Sequence, residues 1–303
     1  MGRGYPTMLL GLAAIWGSSF MFIKIAVDEL SPAATMLGRC LVAAIILGAI
    51  LAARRGFVQA VRCLRDFGRA GVVLGIVSTA LPFWLIAWGE TRIDSGIAAI
   101  ANASMPIFVV LLAIRFAPGE RAGGWQAFGI ALGIIGVGVL AGVDPQGGWS
   151  GVIGTLAVVL ASTSYAVSTL YSQRKLGDSS GLLVSTASAF WGTIVLLPFG
   201  IAQAPSALPS WEALGSIAML GAFGTAVGLL MFLYMIEHYG SARASLVVYL
   251  LPVTALLYGA LLLDEPVRVT AIAGLVLILA GVALGSGAVR PIRRRQPVPA
   301  PTP

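Results

Sequence analysis

The 303-residue sequence is poor in charged residues, which make up 10% of it, and it contains one histidine and two cysteines. A soluble domain carries about 25% charged residues, so the composition argues against a water-soluble protein. His238, Cys40 and Cys63 are too few and too far apart in the sequence to form a usual metal site. Two such cysteines also provide no disulfide framework. We therefore expect no metal, no cofactor and no structural disulfide.

Motifs of enzymes are equally scarce. The sequence lacks a glycine-rich phosphate loop ending in Gly-Lys-Ser/Thr, which excludes ATP hydrolysis by that route. Gly148-Trp149-Ser150-Gly151 matches the Gly-x-Ser-Gly of intramembrane serine proteases. A nucleophilic serine needs a base within hydrogen-bond reach, whereas Ser150 and His238 are predicted on opposite sides of the membrane. We predict that the chain is not an enzyme, and an intramembrane enzyme remains the weaker alternative.

Apolar residues are abundant and make up 58% of the chain. They fall into blocks of about twenty residues, the length at which a helix crosses a hydrocarbon core about 30 Å thick. We therefore predict an all-α integral membrane protein. Its ten transmembrane helices are predicted at residues 7–27, 32–53, 71–89, 95–116, 123–143, 150–171, 181–201, 213–236, 242–263 and 269–289.

The distribution of lysine and arginine predicts the orientation of these spans. Cytoplasmic loops carry an excess of both residues. With the N-terminus inside, the predicted inner loops and termini hold 15 of them, and the outer loops hold 2, Arg92 and Arg268. The positions of the residues behind the net charge of +7 are thus explained by the membrane orientation and do not indicate nucleic-acid binding. We predict a multi-pass membrane protein with both termini in the cytoplasm.

The two halves of the sequence can be aligned with each other. When Pro106 is placed on Pro252, Glu120 meets Glu265 after one inserted residue, and a glycine-rich fifth helix meets a glycine-rich tenth. Five helices per unit is an odd number, so the second unit is inverted in the membrane, as in many secondary transporters. We predict two inverted five-helix repeats around a central cavity, at residues 1–146 and 147–289, followed by a disordered cytoplasmic tail at 290–303.

The order of several motifs resembles a known family. The first span reads Trp16-Gly17-Ser18-Ser19-Phe20 followed by Lys24, and the second carries Arg39 ahead of an apolar run. Each half then has a proline in its fourth helix, an acidic residue in the next loop and a glycine-rich fifth helix. This pattern resembles the EamA family of the drug/metabolite transporter superfamily, and within it the ten-helix amino-acid exporters of bacteria.

The resemblance implies a function and a set of partners. It implies a five-plus-five fold and a secondary transporter of small metabolites that works by alternating access. The substrate would be an amino acid, aromatic or otherwise amphipathic, that is exported across the inner membrane. The expected partners are this small molecule and the lipid bilayer, with no nucleic acid and with a monomeric carrier. An uncoupled channel or facilitator stays open as an alternative, although no filter-like loop is present.

Three prolines are predicted to break helices inside the membrane. Because proline has no N–H to donate, Pro82, Pro106 and Pro252 should free the carbonyls of Ser78, Asn102 and Val248, respectively. Such carbonyls are tolerated at depth where protein groups or water satisfy them. They either face a wet cavity and accept bonds from a substrate ammonium, or they belong to kinks buried in protein.

Polar-tipped aromatic and hydroxyl side chains recur at helical spacing and are predicted to line the substrate path. Aromatic rings offer apolar contact and cation–π attraction, while hydroxyl and amide groups orient a ligand. The alternative for each aromatic residue is the interfacial belt of a membrane protein. The predicted substrate-binding residues are Trp16, Ser19, Ser78, Trp84, Trp88, Asn102, Tyr165, Thr169, Tyr234 and Tyr249.

Ionisable residues near the spans are candidates for coupling or gating, because charges inside a membrane are costly and often functional. Arg39 could hold a substrate carboxylate or tie helices together, with Glu29, Asp28 or freed carbonyls as partners. Glu90 and Glu237 lie at opposite ends of the third and eighth spans, and no acidic residue is predicted at mid-membrane. The pair formed by Glu237 and His238 is the one candidate for a proton relay. The gating and coupling candidates are therefore Arg39, Glu90, Glu237 and His238.

Overall fold

The computed structural model describes residues 4–116, 124–142, 148–177 and 179–285. Within these residues the chain is helical and contains no β-strand, so an all-α protein is confirmed for this part. Fourteen α-helices, α1–α14, and two π-helical segments, π1 and π2, follow one another. They are α1 (Gly4–Val27), α2 (Pro32–Arg55), α3 (Phe57–Leu74), π1 (Gly75–Ala80), α4 (Leu81–Glu90), α5 (Ser95–Asn102), α6 (Met105–Phe116), α7 (Gly124–Gly142), α8 (Trp149–Lys175), α9 (Gly181–Ala202), α10 (Trp211–Met219), π2 (Leu220–Val227), α11 (Gly228–Tyr239), α12 (Ser241–Ala244), α13 (Val247–Leu262) and α14 (Val269–Gly285).

Eight helical stretches of the described chain are long and apolar enough to cross a membrane. They coincide with the first eight predicted spans, and the shorter apolar helices Val247–Leu262 and Val269–Gly285 occupy the positions of the ninth and tenth. The predicted tail at 290–303 and the predicted loop residue Glu120 lie outside the described residues. The chain is thus a helical protein built for a lipid environment.

The third span begins earlier than predicted, at Phe57 instead of residue 71. Its first part carries Arg62 and Arg65 on an exposed face, which lowers the hydropathy that the sequence prediction relied on. The opposite face, with Ala60, packs against Leu51 and Leu183. Gly68 has a φ of 38° and a ψ of −117°, so the helix axis bends there before it enters the apolar part.

The helices pack in pairs that join the first half of the chain to the second. Helix α1 lies along α13, and α8 lies along α5 and α6. Helix α2 packs against α9 and π2, whereas α9 packs against α2 and π1. The largest apolar core lies between these helices and includes Phe20, Met36, Ile86, Ile100 and Leu220. Consequently neither half is a separate body with its own core.

Helices α7 and α14 meet along their glycines. Spacings of four, as in Gly129/Gly133 and Gly281/Gly285, indicate close helix approach, and the structure confirms it. A Cβ atom built on Gly129 would lie 2.5 Å from the backbone N of Gly285, and one on Gly281 would lie 2.5 Å from the N of Gly133. The two backbones are therefore in direct contact.

Segment π1 changes the consequence of Pro82. The N–H of Leu81 donates to the carbonyl of Ile76, five residues back, so the same register assigns the missing N–H of Pro82 to the carbonyl of Val77. The Ser164 hydroxyl, from α8, donates to that carbonyl at 2.7 Å. The prediction that Pro82 frees the carbonyl of Ser78 was wrong by one residue, because it assumed α-helical hydrogen bonds.

The fourth predicted span is two helices rather than one. Helix α5 ends at Asn102, and α6 begins at Met105, so Pro106 occupies the second position of a new helix, where its missing N–H costs little. The carbonyl of Asn102 accepts a hydrogen bond from the Ser162 hydroxyl at 3.2 Å. A protein hydroxyl thus satisfies it. Pro252 lies inside α13, which follows a similar break after α12.

Candidate functional site

A cavity of about 580 Å³ lies between the two halves of the chain. Helices from both halves contribute to its walls, and apolar side chains dominate them, with hydroxyl and amide groups interspersed. The lining includes Trp16, Ser19, Phe20, Ile23, Arg39, Cys40, Ser78, Thr79, Phe83, Ile86, Asn102, Tyr165, Ser168, Thr169, Ser172, Gln173, Gly181, Val184, Ser185, Ser188, Thr225, Phe232 and Val248.

The cavity brings together seven of the predicted site residues. These are Trp16, Ser19, Arg39, Ser78, Asn102, Tyr165 and Thr169. The other predicted residues lie outside its lining, namely Trp84, Trp88, Tyr234, Tyr249, Glu90, Glu237 and His238. The structure thus places the polar-tipped residues of α1 and α8 together, and leaves those at the far ends of α4 and α11 elsewhere.

The aromatic pairs at helical spacing stack on each other instead of facing the cavity. The rings of Trp84 and Trp88 are stacked with centroids 6.2 Å apart, and the guanidinium carbon of Arg92 lies 3.5 Å from the Trp88 ring. Tyr234 stacks on His238 at 3.8 Å. His238 and Glu237 are both exposed at the end of α11.

Arg39 is the one charged side chain among the described residues that line the cavity. It is 7% exposed, its Nε–H donates to the Thr225 hydroxyl at 2.9 Å, and its guanidinium carbon lies 3.9 Å from the centroid of the Phe83 ring. Its predicted partners, Glu29, Asp28 or a freed carbonyl, were wrong, because the side chain points to π2 of the other half.

The two terminal nitrogens of Arg39 have no hydrogen-bond partner among the described residues. A guanidinium presents its donors in a planar fork that matches a carboxylate. With Nε already bound and the plane fixed over Phe83, the fork is held in a set orientation at the cavity wall. Arg39 is therefore arranged to receive a carboxylate in two hydrogen bonds.

Sequence reasoning missed a group of hydroxyls on the cavity wall. Thr79 and Ser188 lie 2.6 Å apart, oxygen to oxygen, and Ser78 is hydrogen-bonded to the same Ser188 hydroxyl. Ser185 and Ser188 are spaced three residues apart on α9. Hydroxyls at that spacing share a helix face, and this pattern in an apolar span was the signal that could have found them.

One end of the cavity reaches the molecular surface. Its lining extends to Ser172 and Gln173, near the end of α8, and to Gly181 and Val184, at the beginning of α9. Gln173 is exposed. Arg174 and Lys175 follow directly, and both are exposed. We refer to this end as the open end.

Beyond the cavity lining, on the side away from the open end, Glu265 of the loop between α13 and α14 binds the start of α5. Its carboxylate accepts hydrogen bonds from the backbone N–H of Ser95 at 2.8 Å, the Ser95 hydroxyl at 2.8 Å and the N–H of Gly96 at 3.2 Å. These are unpaired donors of the first turn of α5, where the helix dipole also favours a negative charge. A loop of the second half thereby caps a helix of the first.

A glycine on α13 makes room for this cap. A Cβ atom at Gly259 would lie 2.3 Å from Glu265 Oε2 and 3.0 Å from Ser95 Oγ. Gly259 is also tied to the loop, because its carbonyl accepts the N–H of Glu265 at 3.0 Å. The carboxylate therefore fits against α13 only where no side chain is present.

Lys24 and Glu90 lie at the same end, which we refer to as the closed end. The Lys24 ammonium donates to the backbone carbonyls of Glu90 at 2.7 Å and Ile93 at 3.1 Å, so it binds the C-terminal end of α4. The Glu90 side chain is fully buried. We call Lys24, Glu90, Ser95 and Glu265 the closed-end cluster.

Within the described residues no three His, Cys, Asp or Glu side chains are grouped so as to hold a metal ion. The cavity itself combines aromatic rings, hydroxyls and one oriented guanidinium. Such a wall can hold an amphipathic molecule with one carboxylate, and it is large enough for a small metabolite.

Comparison with known proteins matches the model of the EamA-like transporter family to residues 4–142 and 152–287. A probable terminal-alkyne amino-acid exporter of Streptantibioticus cattleyicolor is 32% identical over 89% of this chain and 89% of its own length. A probable amino-acid metabolite efflux pump of Escherichia coli is 25% identical over 93% of this chain and 94% of its own.

Two further similarities concern location and fold. An uncharacterized inner membrane transporter of Escherichia coli is 28% identical over 83% of this chain and 80% of its own length. A crystal structure superposes with a TM-score of 0.65 at 17% identity, covering 96% of this chain and 99% of that one. This structure supports the helical fold and nothing more.

Proposed function

Because the chain belongs to the EamA-like transporter family, and is thus a multi-pass membrane transporter, we propose that it exports amino acids by alternating access. Two relatives are named for amino acids or their metabolites, one as an exporter and one as an efflux pump. The observation that carries the proposal is the cavity, which has one open end and holds Arg39 as its charged wall residue.

The wall chemistry matches an amphipathic amino acid. The free fork of Arg39 binds the carboxylate, and the rings of Trp16, Tyr165 and Phe232 contact the apolar side chain. The substrate's ammonium can donate to the side-chain oxygen of Asn102 and to the carbonyl of Val248. This carbonyl lacks its helical donor, because residue 252 is a proline and has no N–H. Trp84, Trp88, Tyr234 and Tyr249 are left out of this assignment, since they lie outside the lining.

Alternating access requires two related halves, and the packing supports an inverted repeat of ten spans. The contact of α1 with α13 has its counterpart in that of α8 with α6, and the contact of α2 with π2 has its counterpart in that of α9 with π1. The π-helical segments occur in the third span of each half. We therefore retain residues 1–146 and 147–289 as the two units and 290–303 as a tail.

The charge distribution orients the cavity. With both termini in the cytoplasm, the open end, which carries Arg174 and Lys175, faces the cytoplasm. The closed-end cluster then lies on the extracellular side. The structure corresponds in this proposal to the inward-facing state, ready to receive a substrate from the cell.

The test uses purified protein in liposomes. We expect labelled leucine or phenylalanine to enter faster when the same unlabelled amino acid is inside, because the carrier then returns to the outside with bound substrate instead of empty. Phenethylamine, which lacks the carboxylate, should compete poorly, whereas 3-phenylpropionate, which retains it, should compete. Uptake that saturates but shows no acceleration by internal substrate would indicate a channel and overturn the proposal.

The role of Arg39 is tested in the same assay. Arg39→Gln should raise the KM about tenfold to a hundredfold, the loss expected for charged hydrogen bonds, and Arg39→Lys should recover little because an ammonium lacks the planar fork. Arg54→Gln, an exposed arginine at the end of the same helix, is the matched control and should transport normally. An unchanged KM in Arg39→Gln would remove Arg39 from the substrate site.

A further inference from the structure

The carboxyl group of Glu90 is buried without a hydrogen bond. Glu90 ends α4, its side chain has no exposed surface, and neither Oε1 nor Oε2 has a partner. Burying an ionised carboxylate that nothing pairs is far more costly than burying a neutral carboxylic acid. In most proteins such a group is paired, so this one calls for a specific explanation.

The cations near Glu90 are already bound to other groups. From α1, the Lys24 ammonium donates hydrogen bonds to two backbone carbonyls. From α2, Arg39 is hydrogen-bonded to Thr225 and lies over Phe83. These two residues and Glu265 are the charged groups that act on Glu90 electrostatically.

The remaining neighbours add no compensating cation. Glu265, beyond the start of α5, brings a second negative charge, which is directed at Ser95 and Gly96. In the loop after α4, Arg92 donates to the Trp88 carbonyl and the Thr91 hydroxyl, and Asp94 is another acid. Segment π1 and helix α5 carry no charged residue, and those of α8 lie at the open end.

We propose that Glu90 is a proton-binding site of the closed-end cluster, occupied when that end is closed and emptied when it opens. The proton comes from extracellular water, forms an O–H bond on the carboxyl as the end closes, and returns to water when the end opens. This inference rests on the proposed function, since it requires an end that opens and closes and that faces the extracellular side.

The proposal fixes the direction of the pH effect. The closed state binds one proton more than the open state, so external acid favours the closed, inward-facing state. For a single site the ratio of closed to open states changes by at most about tenfold per pH unit. Export would thus be slower at acidic external pH and faster at alkaline external pH.

A cysteine reporter measures opening from outside. Ile86 lines the cavity one helical turn before Glu90, so Ile86→Cys reacts with a membrane-impermeant maleimide added outside only when the closed end opens. The native thiols are removed by Cys40→Ala and Cys63→Ala. Leu208→Cys, at a position 97% exposed in the loop before α10, corrects for the pH dependence of the thiol reaction itself.

The expected result is a ratio of Ile86→Cys to Leu208→Cys labelling that falls as external pH is lowered from about 8.5 to about 5.5. Glu90→Gln, a neutral isostere, should give a low ratio at every pH. Glu90→Asp should restore the slope, because it restores a titratable group. The matched control is Glu212→Gln, an exposed carboxylate at the same face, which should behave as the unaltered protein.

Failure of this inference can be distinguished from failure of the proposed function. If Glu90→Gln keeps the full slope, the proton site is wrong, although transport stands. If a substrate confined to the cytoplasmic side leaves the ratio unchanged at every pH, alternating access fails as well. Should Glu90→Gln not reach the membrane, the unaltered protein labelled with isotopic glutamate must still show an infrared band of a protonated carboxyl at neutral pH, and its absence overturns the inference.

Discussion

Arg39 and Thr225 belong to different halves of the chain, and the Arg39 Nε–H donates to the Thr225 hydroxyl across the cavity wall at 2.9 Å. Thr225 lies in π2, and its hydroxyl donates a hydrogen bond to the carbonyl of Leu220 at 3.0 Å. The arginine is therefore oriented by one half while it is carried by the other. In the proposed function, substrate affinity and contact between the halves therefore depend on the same hydrogen bond.

Thr225→Val should weaken substrate binding without abolishing transport. The change removes the acceptor of Nε but keeps the shape of the side chain, and one such bond contributes about 1 kcal/mol. We expect the KM to rise about fivefold, with kcat nearly unchanged. Labelled amino-acid uptake into liposomes measures both constants.

Thr35→Val is the matched control for that variant. Thr35 is on α2 with Arg39, and its buried hydroxyl has no hydrogen-bond partner. Removing an unsatisfied polar group is neutral or stabilising, so transport should be normal and thermal unfolding should not occur earlier. A KM that rises equally in both variants would mean that Thr225 acts through packing instead of orienting Arg39.

Ser164 and Pro82 should be coupled in a double-mutant cycle. Ser164→Ala leaves the Val77 carbonyl unsatisfied, at a cost of about 1–3 kcal/mol, and should lower the unfolding temperature in detergent by several degrees. In a Pro82→Ala background the new N–H at position 82 can bond that carbonyl, so the same serine change should cost much less. Thr163→Ala, whose hydroxyl bonds only its own helix, serves as the control. Equal costs in both backgrounds would contradict the assigned register.

The helical content was predictable because twenty-residue apolar blocks have few other ways to fold. The hydrogen-bond register within a span, that is, which carbonyl each N–H binds, could not be predicted from the sequence. Pro82 was identified as a break, yet whether it frees the carbonyl of Ser78 or of Val77 depends on the π-helical register of π1, which the apolar pattern does not indicate. The early start of the third span at Phe57 was missed because arginines there interrupt the apolar run.

The cavity residues on α1 and α8 were predictable from the spacing of aromatic and hydroxyl groups. Glu90 was named from the sequence as a coupling or gating candidate, but its complete burial was not predictable, because it arises where Lys24 and the start of α5, which are distant from each other in sequence, meet the end of α4. The stacked pairs Trp84–Trp88 and Tyr234–His238 show the limit of helical periodicity. It identifies which residues share a face but not what that face contacts.

A pH-dependent contact ties the linker between α1 and α2 to the start of α10. The Glu29 carboxylate accepts a hydrogen bond from the Ser210 hydroxyl and a second one from the Ser210 backbone N–H at 2.9 Å. They hold the pKa of Glu29 below its ordinary value. Because this pKa is lower in the folded state, the contact stabilises the fold at pH values above the pKa of Glu29 in the unfolded chain. That stabilisation is lost as the pH falls through the pKa of Glu29 in the folded protein.

Glu29→Gln should therefore unfold at a lower temperature than the unaltered protein at neutral pH, and the difference should shrink below about pH 4. Unfolding in detergent micelles, followed by tryptophan fluorescence across that range, measures it. A difference that persists unchanged into acid would show that Glu29 acts through shape and not through charge.

The backbone contact between α7 and α14 restricts how the two halves can move. Because Gly133 and Gly281 meet without intervening side chains, sliding one helix along the other by a residue would press a Cβ atom into the opposite chain. Tilting about the line of contact meets no such obstacle. We therefore expect this pair to serve as a pivot, keeping its registration while the rest of the molecule swings around it.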